Sequence, residues 1–171
     1  SFDGLGIPSN QKEKAIDFLF VIDDSSSMGS YQRDLGQSLP SLISYIPNRD
    51  WQIAVITTSN PCLRKTSLGN TVLTRADYEK DPFQALTDFK HMIEAGESGN
   101  PIERGILMAT YAMTGKGCHS ESNDWLRPQS QRSILLVTDE DNCGSADNEG
   151  CPGLPFEKAK FFFCPDYRYS H

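Results

Sequence analysis

Two apolar runs, each ending in a cluster of acidic and hydroxyl side chains, constrain this chain more than anything else in it. Residues 16 to 22, Ile-Asp-Phe-Leu-Phe-Val-Ile, are apolar on both faces of a strand, as expected of a central strand covered by helices on both sides. Asp23-Asp24-Ser25-Ser26-Ser27-Met28-Gly29 follows at once. Ser133 to Thr138, Ser-Ile-Leu-Leu-Val-Thr, reads as a second buried strand and runs straight into Asp139-Glu140-Asp141.

The segments between these runs have helical spacing. From Tyr31 the apolar residues Leu35, Leu39, Leu42, Ile43 and Ile46 recur on one face until Pro47, with Pro40 placed to kink or divide the helix. Trp51 to Thr58 is β-branched and predicts a strand, and Thr66 to Thr74 is polar enough for a short edge strand. Asp77 to Ala95 carries Tyr78, Phe83, Leu86, Phe89, Met92 and Ile93 at helical spacing, interrupted by Pro82. After a loop at Gly96 to Pro101, Ile102 to Met113 predicts a helix with Ile106, Leu107, Ala109, Ala112 and Met113 toward the core. Gly115 to Gln131 is a polar connection.

Strands alternating with helices predict an α/β fold, doubly wound, with a largely parallel central sheet flanked by helices. At 171 residues the chain fits one domain: an N-terminal extension at 1–13, the core at 14–142, and a Cys-containing C-terminal segment of the same domain at 143–171. That last segment offers only Phe156 to Cys164 as a compact apolar stretch.

Composition excludes some functions. A formal net charge of −7, with Lys and Arg scattered, argues against nucleic acid as a partner. No apolar run approaches the roughly 20 residues that span a bilayer. Ser1 to Pro8 lacks a basic start and an apolar run, so any export signal is expected to have been removed or to lie outside the sequence. The 5 cysteines, Cys62, Cys118, Cys143, Cys151 and Cys164, sit in loop-like segments and predict disulfides in an oxidising, extracytoplasmic compartment, periplasmic, surface-bound or secreted. Cys143 and Cys151 bracket one short loop and are the leading pair. Their spacing does not suit a zinc knuckle.

In open α/β sheets, ligands sit beyond the carboxyl ends of the strands, where both acidic clusters are expected. Asp23, Ser25 and Ser27 offer a carboxylate and two hydroxyls at alternate positions, and Asp139 adds a second carboxylate. Oxygen donors without nearby imidazole or thiolate pairs suit Mg²⁺, Mn²⁺ or Ca²⁺. Either cluster alone reads equally well as helix capping and turn chemistry. Two carboxylates at one sheet edge repel unless a cation or proton lies between them, which favours the metal.

Asp23-Asp24-Ser25-Ser26-Ser27 after Phe-Leu-Phe-Val-Ile resembles the Asp-x-Ser-x-Ser signature of von Willebrand factor type A domains, and Ile134 to Asp139 resembles the strand that delivers the family's distal Asp. Thr138-Asp139-Glu140-Asp141-Asn142-Cys143, with Trp125-Leu126-Arg127 before it, is most similar to bacterial exported members. The resemblance spans about residues 14 to 142 and implies a metal-ion-dependent adhesion site. There the cation engages an Asp or Glu carboxylate of a protein partner, and no catalysis is involved. The family's intermediate-loop Thr is missing from Gly96 to Gly105. Asn100 falls at its position, with Ser98 and Glu103 close enough to substitute. Surrounding loops at Ser26 to Tyr31, Gly96 to Pro101 and Glu140 to Ser145 would set specificity. The family's fold continues with one or two more strands and a closing helix, for which residues 142 to 171 offer only Phe156 to Cys164, so the resemblance implies a sheet that is short or a sequence that stops before the fold closes.

Other readings rank lower. Asp139 to Gly144 begins like an EF-hand loop but fails at Cys143 and at Gly150 and follows a strand. A metal-assisted hydrolase would use Glu103, Asp24 or Glu140 as general base. The chain has no Gly-x-Ser-x-Gly elbow, phosphate-binding loop or His-Glu-x-x-His, and His91, His119 and His171 lie outside both clusters. A purely structural Ca²⁺ domain is the third alternative.

Overall fold

A computed structural model describes residues 14–46, 49–99, 104–116, 118 and 125–139, and the backbone of 160–165. The chain runs β1 (Ile16–Ile22), α1 (Gly29–Gly36), α2 (Leu39–Ser44), β2 (Trp51–Thr57), β3 (Leu73–Thr74), α3 (Arg75–Lys80), α4 (Pro82–Ile93), α5 (Gly105–Thr114), β4 (Gln131–Thr138) and β5 (Lys160–Pro165). These strands form one sheet in the order β3-β2-β1-β4-β5. The three central strands are parallel and both edges antiparallel, so the sheet is mixed rather than parallel throughout.

Every residue of β1 and β2 is buried, as their continuous apolar character requires. The period of two along β1 divides the core. Phe18, Phe20 and Ile22 pack with Met28, Leu39, Phe89 and Met92, whereas Leu19 and Val21 pack with Met108, Ala109, Ala112 and Trp125. Helices therefore cover both faces of the central strand. β4 departs from the sequence expectation: Ser133, Val137 and Thr138 are buried, but Ile134, Leu135 and Leu136 are only half-buried.

Pro40 and Pro82 each sit in the first turn of a new helix instead of bending a longer one. Gln37 and Ser38 separate α1 from α2, with Pro40 in the first turn of α2. Pro82 opens α4, where Asp81 accepts from the backbone N–H of Phe83 (3.1 Å) and Gln84 (3.0 Å). Thr74 and Asp77 form a reciprocal capping box at α3. Of the edge strand expected at 66–74, only Leu73–Thr74 pairs, opposite Gln52 and Ile53.

α5 starts at Gly105, later than the spacing suggests, and its inward face is Met108, Ala109 and Ala112. Ile106, expected in the core, is 61% exposed. Gly105 lets α5 approach β4, because a Cβ there would lie 2.4 Å from Leu136 Cδ1. The connection at 125–130 is less polar in role than in composition. Trp125 is buried, and Arg127 donates from its backbone N (2.8 Å) and Nε (2.7 Å) to the buried Asp17 carboxylate. Its Nη1 reaches Asp50 at 2.8 Å.

Cys62 and Cys118 form a disulfide with a sequence separation of 56. The pairing anticipated at Cys143 and Cys151 lies outside the described residues. Among the described residues no helix is long and apolar enough to cross a membrane.

Candidate metal centre

The parallel register of β1 and β4 brings their carboxyl ends together, with Ile22 opposite Val137. One residue on, the Asp23 N–H donates to the Val137 carbonyl (2.9 Å), and the Thr138 hydroxyl donates to Asp23 Oδ2 (2.8 Å). The Ser25 N–H donates to Asp23 Oδ1 (2.8 Å). Asp23 is thereby held rigidly and is fully buried although it follows the strand. Each carboxylate oxygen keeps a second acceptor direction.

The loop then turns sharply, the Met28 N–H donating to the Ser25 carbonyl (3.2 Å) while the Met28 side chain enters the core. This anchors Ser25 and Ser27 so that their hydroxyl oxygens lie 3.2 Å apart. Ser25 is nearly buried and Ser27 is exposed. Neither serine caps α1, whose N-cap is Met28 and carries no side-chain cap bond. The capping explanation for this Ser-rich stretch is thus set aside.

At the end of β4, Asp139 Oδ1 is buried and has no hydrogen-bond partner among the described residues. A buried carboxylate oxygen left unpaired is costly and rare. Asp24 is committed elsewhere: its Oδ1 accepts from Thr58 Oγ1 (3.2 Å) and Ser59 Oγ (2.8 Å), at the end of β2.

A second loop, 94–99, lies across the first. The Gly99 N–H donates to the Asp24 carbonyl (2.7 Å), and a Cβ on Gly99 would lie 2.2 Å from Asp24 Oδ1. Glu97 reaches the start of α1, where a Cβ on Gly29 would sit 2.0 Å from its Oε1. The root of this loop is held by Arg64, whose Nε donates to the Met92 carbonyl (2.5 Å) and whose Nη2 donates to those of His91 and Glu94 (3.2 Å each). Burial lowers the Arg64 pKa, and the nearby Asp24 carboxylate opposes that shift.

Of the anticipated ligands, Asp23, Ser25, Ser27 and Asp139 therefore gather at one sheet edge. Ser98 is described and exposed. Asn100 and Glu103 lie outside the described residues, as do Glu140 and Asp141. Among the described residues no group of three or more His, Cys, Asp or Glu side chains is disposed to hold a metal. The set assembled here combines two carboxylates with two hydroxyls. Its oxygen chemistry and the unpaired Asp139 Oδ1 fit a hard divalent cation.

Sequence reasoning did not identify Thr138, Thr58, Ser59, Gln32 or Glu97 at this edge. Only Thr138, as the last residue of a strand leading to an acidic cluster, carried any local signal. No family model, curated protein or solved structure matches the chain.

Proposed function

We propose that this chain is a metal-ion-dependent binding domain of the von Willebrand factor type A kind. Asp23, Ser25, Ser27 and Asp139 would hold Mg²⁺, Mn²⁺ or Ca²⁺, with Asn100 or Glu103 as candidate further ligands. A cation bound there supplies positive charge and an exchangeable coordination position for an Asp or Glu carboxylate of a protein partner. The observation that carries the reading is the buried Asp139 Oδ1, without a partner among the described residues, at the end of the strand next to the one that delivers the immobilised Asp23 and the paired serine hydroxyls. The net charge of −7 would otherwise repel an acidic partner. The Cys62–Cys118 disulfide supports an extracytoplasmic setting.

The test uses the immobilised chain and two peptide pools that differ only in a central Asp/Glu or Asn/Gln. The acidic pool should be retained in Mg²⁺ or Mn²⁺ and released by chelator, and Asp139→Asn should abolish retention. Equal retention of both pools, or retention that survives chelator, would overturn the proposal.

A further inference from the structure

Gln32 lies on α1 and is not one of the proposed ligands, yet it is 2% exposed and makes three hydrogen bonds at the site edge. Its Nε2 donates to the Asp23 carbonyl (2.8 Å) and to the Gly96 carbonyl (2.8 Å), while the Gly96 N–H donates to its Oε1 (3.1 Å). One side-chain amide therefore satisfies both backbone groups of Gly96 and ties them to the backbone of Asp23. Both of its N–H donors are used and so is its carbonyl. A buried glutamine of this kind is stable only while every partner stays in place.

The position of Gly96 strengthens the argument. Its φ is +91°, a conformation that side-chain-bearing residues rarely adopt, so the loop takes this path at a specified point. Beyond it, Glu97 reaches Gly29 and Gly99 bonds to Asp24, so the loop's course over the proposed cation loop starts from the Gln32 clasp. Gly96 has no regular secondary structure to hold it.

We infer that Gln32 is the positioning residue of this site, fixing the Asp23 loop and the 94–99 loop in a single arrangement so that cation occupancy at the first is transmitted to the second. The inference rests on the proposed cation site. It assigns Gln32 no contact with the ion, and its effect runs through the backbone of Asp23 and Gly96. Partners that order metal ligands from behind typically change affinity by roughly ten- to a hundred-fold when removed.

The experiment combines calorimetric titration of the chelator-treated chain with Mg²⁺, Mn²⁺ and Ca²⁺ and amide hydrogen exchange at Gly96 and Gly99, with and without cation. In the unsubstituted chain, cation should slow exchange at both amides. Gln32→Met, similar in length but unable to hydrogen-bond in this way, should weaken affinity roughly ten-fold or more and abolish the cation-dependent protection. Gln37→Met, on an exposed neighbour, should change neither. Gly96→Ala keeps both backbone groups but disfavours the positive φ that presents them to Gln32, meets nothing in the core, and should lower affinity and protection in the same direction even if Gln32→Met fails to fold. Native affinity and native protection in folded Gln32→Met, or in Gly96→Ala, would overturn the inference and leave the cation site standing. No cation binding by the unsubstituted chain would overturn both.

Discussion

Asp23 and Asp139 differ in what surrounds them, and the difference separates structural from binding roles. Asp23 accepts bonds from Ser25 and Thr138 and is fully buried, so its removal harms the fold even though it lies past the end of β1. Asp23→Ala should cost about 3–6 kcal/mol in chelator, since it removes both bonds and each bond to a charged group contributes about 1.5–3 kcal/mol. Asp139→Asn should leave that stability within about 1 kcal/mol while losing cation binding, because its Oδ1 has no partner to lose among the described residues. Denaturant unfolding in chelator, paired with cation titration, separates the two. At the opposite edge, Arg127→Ala leaves Asp17 buried without its cation and should cost about 3–5 kcal/mol. Asp50→Ala removes only an exposed partner of the same arginine and should cost under about 1 kcal/mol. Similar losses for these two variants would show that Asp17 does not depend on the arginine.

At the scale of elements, the disulfide joins the segment after β2 to the one after α5 across 56 residues. Closing a loop of that length restrains the unfolded chain by about 4 kcal/mol in the entropy model. Cys62→Ser should therefore lower stability by about 2–4 kcal/mol, measured by denaturant melts against the oxidised chain. A loss below about 0.5 kcal/mol would mean that the bridge adds nothing to the folded state. Much of the element map was legible because its signals were local: continuous apolar runs for β1 and β2, and prolines that mark where α2 and α4 begin. What was illegible depended on neighbours. Ile106 fits the apolar spacing of α5, but the helix is turned so that Met108 faces inward, an orientation set by the approach of Gly105 to Leu136. The half-buried middle of β4, Ile134 to Leu136, is as apolar as the fully buried β2, so its own residues do not encode the difference. Likewise Asp23, Ser25, Ser27 and Asp139 were readable as two motifs, whereas the Gln32 clasp joins positions 64 residues apart.

For the whole molecule, the proposed ion would act as a bound ligand that stabilises the folded form alone. At a free concentration 100 times its dissociation constant it should add about 2.7 kcal/mol, seen as a rise in thermal midpoint that Asp139→Asn lacks. The same rise in Asp139→Asn would place the stabilising ion elsewhere. High ionic strength should weaken the attraction of this acidic chain for the cation. The sheet order has a separate consequence for synthesis. β1 emerges first but sits at the centre, and its partner β4 begins at Gln131, opposite Ile16. Until that distant strand has left the ribosome, the most apolar strand of the sheet keeps one edge open to other nascent chains. A translation pause or truncation before Gln131 is thus the point at which this polypeptide is most exposed to misassembly, and chaperone demand should peak there.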